Sequence, residues 1–262
     1  MIVLATMMAL SSCKKGDDAA VTPATLPATP TTPTTPATSK LSWEKIPGSL
    51  KQVSVGKDGL VWGVNVNQNV FRYTGSGWEN ISGNLTNVSV ASDGTVWGVN
   101  KDDQIFRWKG TAWTAVNEIG GALRQISVGQ NGIVWGVNKD DYIFKLKGTA
   151  WTALNEIPGA LRNISVAADG TVWGVNKNNQ IFKWNGNSWG NPKNGLLTQV
   201  SVGKDGLVWG IGTNNRVYRL NSAGTDWDDP TPDMTLTNVS VSADGTIWGV
   251  NNGGDIFRLV NK

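Results

Sequence analysis

The side chains of this 262-residue chain that could do chemistry are few and unevenly placed. There is no His and one Cys, at position 13, which excludes a His-based triad, a His/Cys zinc site and an intrachain disulfide. Glu occurs only at 44, 79, 118 and 156, at related places in a repeated pattern and not as the close carboxylate pair that glycoside hydrolysis needs. An active site is one asymmetric constellation, so the expectation is that the chain is not an enzyme. Polar groups are densest at Asn100, Lys101, Asp102 and Asp103, at Asn138, Lys139, Asp140, Asp141 and Tyr142, and at Asn176, Lys177, Asn178 and Asn179. Amide, carboxylate and ammonium groups side by side supply the donors and acceptors that sugar hydroxyls require. Tyr142 stands where Gln104 and Gln180 stand in the neighbouring copies, and adds a stacking surface. The same Asn and Asp residues also suit tight turns, because their side chains bond to their own backbone. Adjacent Asp pairs lack the spaced oxygen ligands of a calcium loop, so neither metal nor cofactor is expected.

What positions these groups is a repeat. The stretch ISVAADGTVWGVN, from Ile164, recurs with starts at Val53, Val88, Ile126, Val200 and Val239, spaced by 35, 38, 38, 36 and 39 residues. Within a copy the period is two: Val53-Ser54-Val55, Val61-Trp62-Gly63-Val64 and Val70-Phe71-Arg72-Tyr73 read as three strands. Asp58-Gly59 and its counterparts mark a first hairpin, and Asn67-Gln68, Asp102-Asp103 and Asp140-Asp141 mark a second. A fourth strand follows a Gly-x-x-Trp step such as Gly75 to Trp78.

Only five such steps follow a third strand, yet Ser42 to Leu50 aligns with Gly77 to Leu85. The missing strand lies at the other end of the chain. A closed ring must pair its ends to remove two bare sheet edges, so the fold predicted is all-β: a six-bladed β-propeller of four-stranded antiparallel blades, with Trp43–Ile46 completing the last blade. The recurring Ser54, Gly63 and Trp62 then read as packing residues where the blades meet. The second hairpins and the connections from fourth to first strands share one face, the expected site of ligand binding.

The stretches LxxVSVGxDGxVWGVN, xxIFRW and GxxW resemble the tectonin repeat of tectonins, fish-egg lectins and tachylectin-type proteins, over residues 40 to 262. The resemblance implies a six-bladed propeller and a lectin. The repeat motif itself is structural, so the resemblance assigns no binding residue.

The first forty residues read differently. MIVLATMMAL is too short to span a bilayer and runs into Ser11, Ser12 and Cys13. LSSC resembles the lipobox of bacterial lipoproteins, although no Lys or Arg precedes the apolar run; the resemblance implies a signal peptide over 1–12 and lipid attachment at Cys13. Residues 13–40, rich in Pro, Thr and Ala, form no core and read as an extended spacer reaching up to ~80 Å. The expectation is a lectin domain at 41–262 tethered at the outer membrane and facing the cell surface, with a protein-interaction scaffold or adhesin subunit as the alternative. A net charge of +3 spread along the chain gives no nucleic-acid stripe.

Overall fold

The computed structural model describes residues 41–116 and 120–261. Cys13, the 1–12 segment and the 13–40 spacer lie outside the described residues, as do Asn117, Glu118 and Ile119. Blade 1 is an antiparallel sheet of Gln52–Val55, Val61–Val64, Asn69–Tyr73 and Trp78–Asn84, in chain order from first strand to fourth. Five more sheets follow the same plan. In the sixth, Asn238–Val241, Ile247–Val250 and Ile256–Asn261 are completed by Leu41–Ile46, in register from Leu41 opposite Asn261 to Ile46 opposite Ile256. The closing strand therefore begins two residues earlier than the sequence suggests. Blade 4 departs in detail: its outer edge is reduced to isolated bridges, Trp184 to Trp189 and Ile181 to Lys193. Gly190 and Pro192 occupy that edge, and a Pro cannot donate to a ladder.

Each blade has both faces covered, so the second strands are buried from end to end. Core layers form between blades: Trp62, Val64 and Val70 of blade 1 pack on Leu85, Val88 and Val90 of blade 2, and Ile46, Trp248 and Ile256 of blade 6 pack on Leu50 and Val53. The glycine after each Trp reflects close approach: a Cβ on Gly63 would sit 2.4 Å from Leu50 Cδ1.

Serine on the first strand does more than fit a narrow space. Its hydroxyl accepts the next blade's backbone N–H all the way round, as with Val90 to Ser54 at 2.9 Å and Val55 to Ser240 at 3.0 Å. One residue pair earlier, the ring alternates. Gln52, Gln125 and Gln199 each accept an N–H from, and donate to a carbonyl of, the next first strand (2.8–3.1 Å), whereas Asn87, Asn163 and Asn238 only accept one N–H (2.9–3.1 Å). The first hairpins alternate too. Asp58, Asn131 and Asp205 in odd blades adopt left-handed φ of 58–59°, while even blades place only their Gly there. Odd blades then carry Leu60, Ile133 or Leu207, which lies 3.3–4.0 Å from the Cβ position of the next blade's hairpin Gly; even blades carry Thr95, Thr171 or Thr246 instead. The six blades are thus three pairs, with apolar filling at the odd-to-even junctions on the first-hairpin side.

Candidate functional site: clefts between the blades

The second hairpins do lie against the fourth-to-first connections. Leu123 N–H donates to Asp103 O at 3.0 Å, Leu161 to Asp141 O at 2.9 Å and Leu197 to Asn179 O at 2.9 Å, and these three hairpin residues have left-handed φ of 61–67°. The side chains of Asn100, Asn138 and Asn176 fold back on their own turns: Asn138 Oδ1 accepts from Asp140 N–H at 3.0 Å and Tyr142 N–H at 2.9 Å, with the same pattern in the other two. Asp141 sits between Arg124 Nη2 (3.2 Å) and Arg162 Nε (3.6 Å), and Asp102 holds Lys101 at 2.7 Å. That leaves Asp140 and Asn178 exposed without such a bond, and Tyr142 half-buried. The ten residues stand on three neighbouring hairpins and do not converge on a single point.

Between the hairpins the structure forms clefts that sequence reading missed. One, of about 230 Å³ between blades 3 and 4, has Phe182 and Trp189 in its wall and Asn176, Lys177 and Asn178 at its rim. The next, of about 340 Å³ between blades 4 and 5, repeats it with Tyr218 and Trp227, rimmed by Thr213 and Asn214. The Trp of the Gly-x-x-Trp step is half-buried in each blade, and where its N–H is bonded it ties the cleft wall to the preceding connection: Trp78 to Pro47 O at 2.9 Å and Trp227 to Asn194 O at 2.8 Å. An aromatic wall beside amide and ammonium groups suits the apolar face and hydroxyls of a sugar ring. The signal was present in the recurring Phe or Tyr two residues into the third strand, which repeats too regularly to stand out from core positions.

Other cavities lie elsewhere among the described residues. The central channel, about 360 Å³, is lined by the interblade Gln, Asn and Ser groups, whose hydrogen bonds already join the blades. Two larger cavities open on the first-hairpin side, about 730 Å³ between blades 6 and 1 and about 890 Å³ between blades 4 and 5. Both are even-to-odd junctions, where the even blade's hairpin carries Thr171 or Thr246 in the place of the odd blades' Leu or Ile.

At the first of these junctions Asp244 spans the seam. Burial pushes its pKa up, but hydrogen bonds from Ser242 Oγ, Thr246 N–H and Asp58 N–H outweigh that and hold it at about 2, below the ordinary 3.8. A depressed folded-state value means the contribution to stability is complete above about pH 4 and is lost as pH falls towards 2. Thermal melts between pH 4 and 2 should therefore show a shallower acid loss for Asp244→Asn than for the wild type. Parallel pH profiles would contradict this.

Glu44, Glu79 and Glu156 are each engaged by a cation, from Arg258 (2.6 Å), Arg72 (2.6 Å) and Lys147. Among the described residues no three His, Cys, Asp or Glu side chains gather as a metal site would require, and no helix is long and apolar enough to cross a membrane.

The tectonin domain family model matches residues 28–74, 58–156 and 122–262. The chain belongs to the tectonin domain family. Its blades are tectonin repeats, and the ring is a tectonin propeller. Tectonin-1 of Physarum polycephalum is 57% identical over 30 residues, a match spanning 12% of this chain and 14% of Tectonin-1. Among solved structures, a streptogramin B lyase superimposes with TM-score 0.60 at 18% identity, over 85% of this tectonin chain and 98% of the lyase. A gluconolactonase from Xanthomonas campestris superimposes with TM-score 0.61 at 12% identity, over 82% of this chain and 86% of the other. These two likenesses are of fold, and they correct the expectation that the chain is not an enzyme. The same kind of ring carries catalysts, so neither the repetition nor the scatter of Glu residues excludes catalysis.

Proposed function

We propose that this tectonin propeller is a carbohydrate-binding lectin that takes sugar units in the clefts between blades on the second-hairpin face. The observation that carries the reading is the pair of repeated clefts, each with a half-buried Trp beside Phe182 or Tyr218 and a hydrogen-bonding rim. In this reading Asp102, Asp140, Tyr142, Lys177 and Asn178 meet the ligand. Asn100, Asn138 and Asn176, with Asp103, Asp141 and Asn179, hold the hairpins that present them. Replacing Lys177 and Asn178 together by Ala should abolish or weaken glycan binding on an array of immobilised sugars. The melting temperature should stay within ~2 °C, since exposed positions free of structural bonds cost little. If the array stays blank for the wild type while a protein partner co-purifies, the scaffold reading replaces this one.

The same proposal places the ring outside the cell, at the outer membrane, with a lipid on Cys13 and the 13–40 spacer between. A multivalent sugar binder needs reach beyond the bilayer, and a Pro-rich composition suits a spacer. Cys13→Ser should move the protein from the membrane to the soluble fraction; unchanged fractionation would rule out the anchor.

A further inference from the structure

The two large first-hairpin-side cavities share one plan but differ in charge. Each joins the first hairpin and the third-to-fourth-strand turn of an odd blade to a Trp and a cation of the preceding even blade: Trp248 with Arg258 in one, Trp173 with Lys183 in the other. At the blade 6 to 1 junction, Arg258 is neutralised by Glu44, its partner across the strand pair, at 2.6 Å; Asp58 and Asp244 also line the cavity. One cation there faces two lining carboxylates.

Between blades 4 and 5 the balance is reversed. The position equivalent to Glu44, just after the outer Trp, is Gly190, so Lys183 has no carboxylate opposite it. Its ammonium group lies 5.9 Å from the Trp173 ring centroid, a cation–π contact that orients the charge without cancelling it. Two further cationic residues, Lys193 and Arg219, line the same cavity. Against these three cations stand Asp228, 3.5 Å from Arg219, and Asp205, which is exposed and 3.9 Å from Lys204. Among the described residues neither Lys183 nor Lys193 is in an ion pair. Asn221 and Ser222 add hydrogen-bonding groups at the wall.

We propose that the cavity between blades 4 and 5 binds the anionic group of an acidic sugar, with Lys183 and Lys193 as the charged contacts. That the anion is carried by a sugar rests on the lectin reading above; the charge asymmetry does not. The site is separate from the clefts. Phe182 and Trp189 pack towards blade 3, whereas Lys183 and, one residue past Trp189, Gly190 belong to the alternate face, towards blade 5.

Gly190→Glu is the decisive variant, because it recreates the neutralised pair of blade 6. It is sterically permitted: a Cβ there meets only Lys183 O, at 3.4 Å, and the backbone is not left-handed. Full-length protein would be titrated calorimetrically with trigalacturonate, neutral trigalactoside and sodium sulfate. Trigalacturonate should bind, more weakly as salt is raised. Gly190→Glu, and independently Lys193→Gln, should weaken that binding about tenfold or more at an unchanged melting temperature. Three results would overturn the proposal: no trigalacturonate binding, sulfate binding without trigalacturonate binding, or wild-type affinity in both variants. Loss of trigalactoside binding alone in the Lys177→Ala/Asn178→Ala protein separates the two sites. A failure of the cleft reading would leave trigalacturonate binding intact.

Discussion

Deleting Leu41–Ile46 is expected to lower the melting temperature by ~8–16 °C, taking a loss of about 4 kcal/mol at 2–4 °C per kcal/mol for a domain of this size. The strand forms the outer edge of blade 6 along six paired positions, and Ile46 is buried against Trp248, Ile256 and Leu50. Burying one Ile contributes roughly 1.5–3 kcal/mol, and loss of the strand also uncovers Phe257, Leu259 and a bare edge. Trp43 would take with it the 3.1 Å bond from its N–H to Thr231 Oγ1, which ties the closing strand to the end of blade 5. Since a domain's whole stability is about 5–15 kcal/mol, some molecules would open and pair edge to edge, seen as dimers or aggregates by light scattering. A melting temperature within ~2 °C of the wild type would show that the ring does not depend on this strand.

The fold was legible because its evidence is periodic. Six copies of one pattern, and the displaced strand Trp43–Ile46, need only counting, and closure follows from the rule that sheet edges must be paired. The grouping of blades into three pairs was equally present in the letters, as Gln52, Asn87, Gln125, Asn163, Gln199 and Asn238. Its meaning was not. Only geometry shows that the longer Gln reaches both the N–H and the C=O of the next first strand while Asn accepts a single N–H. Likewise Leu60 and Thr95 occupy equivalent places, and only the structure shows that the Leu fills a junction that the Thr leaves open.

The site was less legible for a related reason. Asn138 and its counterparts are as good for capping a turn as for meeting a sugar, and their hydrogen bonds are spent on the turn. The clefts are made by residues far apart in sequence, Gly159, Lys177 and Trp189 for one of them, and no local motif joins these. The weight of Gly190 comes from what stands at the same place in other blades, Glu44, Glu79 and Asp228, each paired with an Arg. The argument from repetition to the absence of catalysis failed because repetition constrains the strands and leaves the loops free.

Two similar clefts on one ring should show their function most strongly on a crowded surface. One shallow cleft holds a sugar weakly, but clefts a fixed distance apart on one rigid ring turn the second contact into an intramolecular event, raising apparent affinity by roughly 10²- to 10⁴-fold without any new contact. The measurement is surface binding of the 41–262 domain to one glycan immobilised at low and at high density. If the clefts act together, apparent affinity should rise on the dense surface by about a hundredfold or more, chiefly through slower dissociation, and the Lys177→Ala/Asn178→Ala variant should lose most of that gain. Equal affinity at both densities, or no binding at either, would contradict a multivalent lectin.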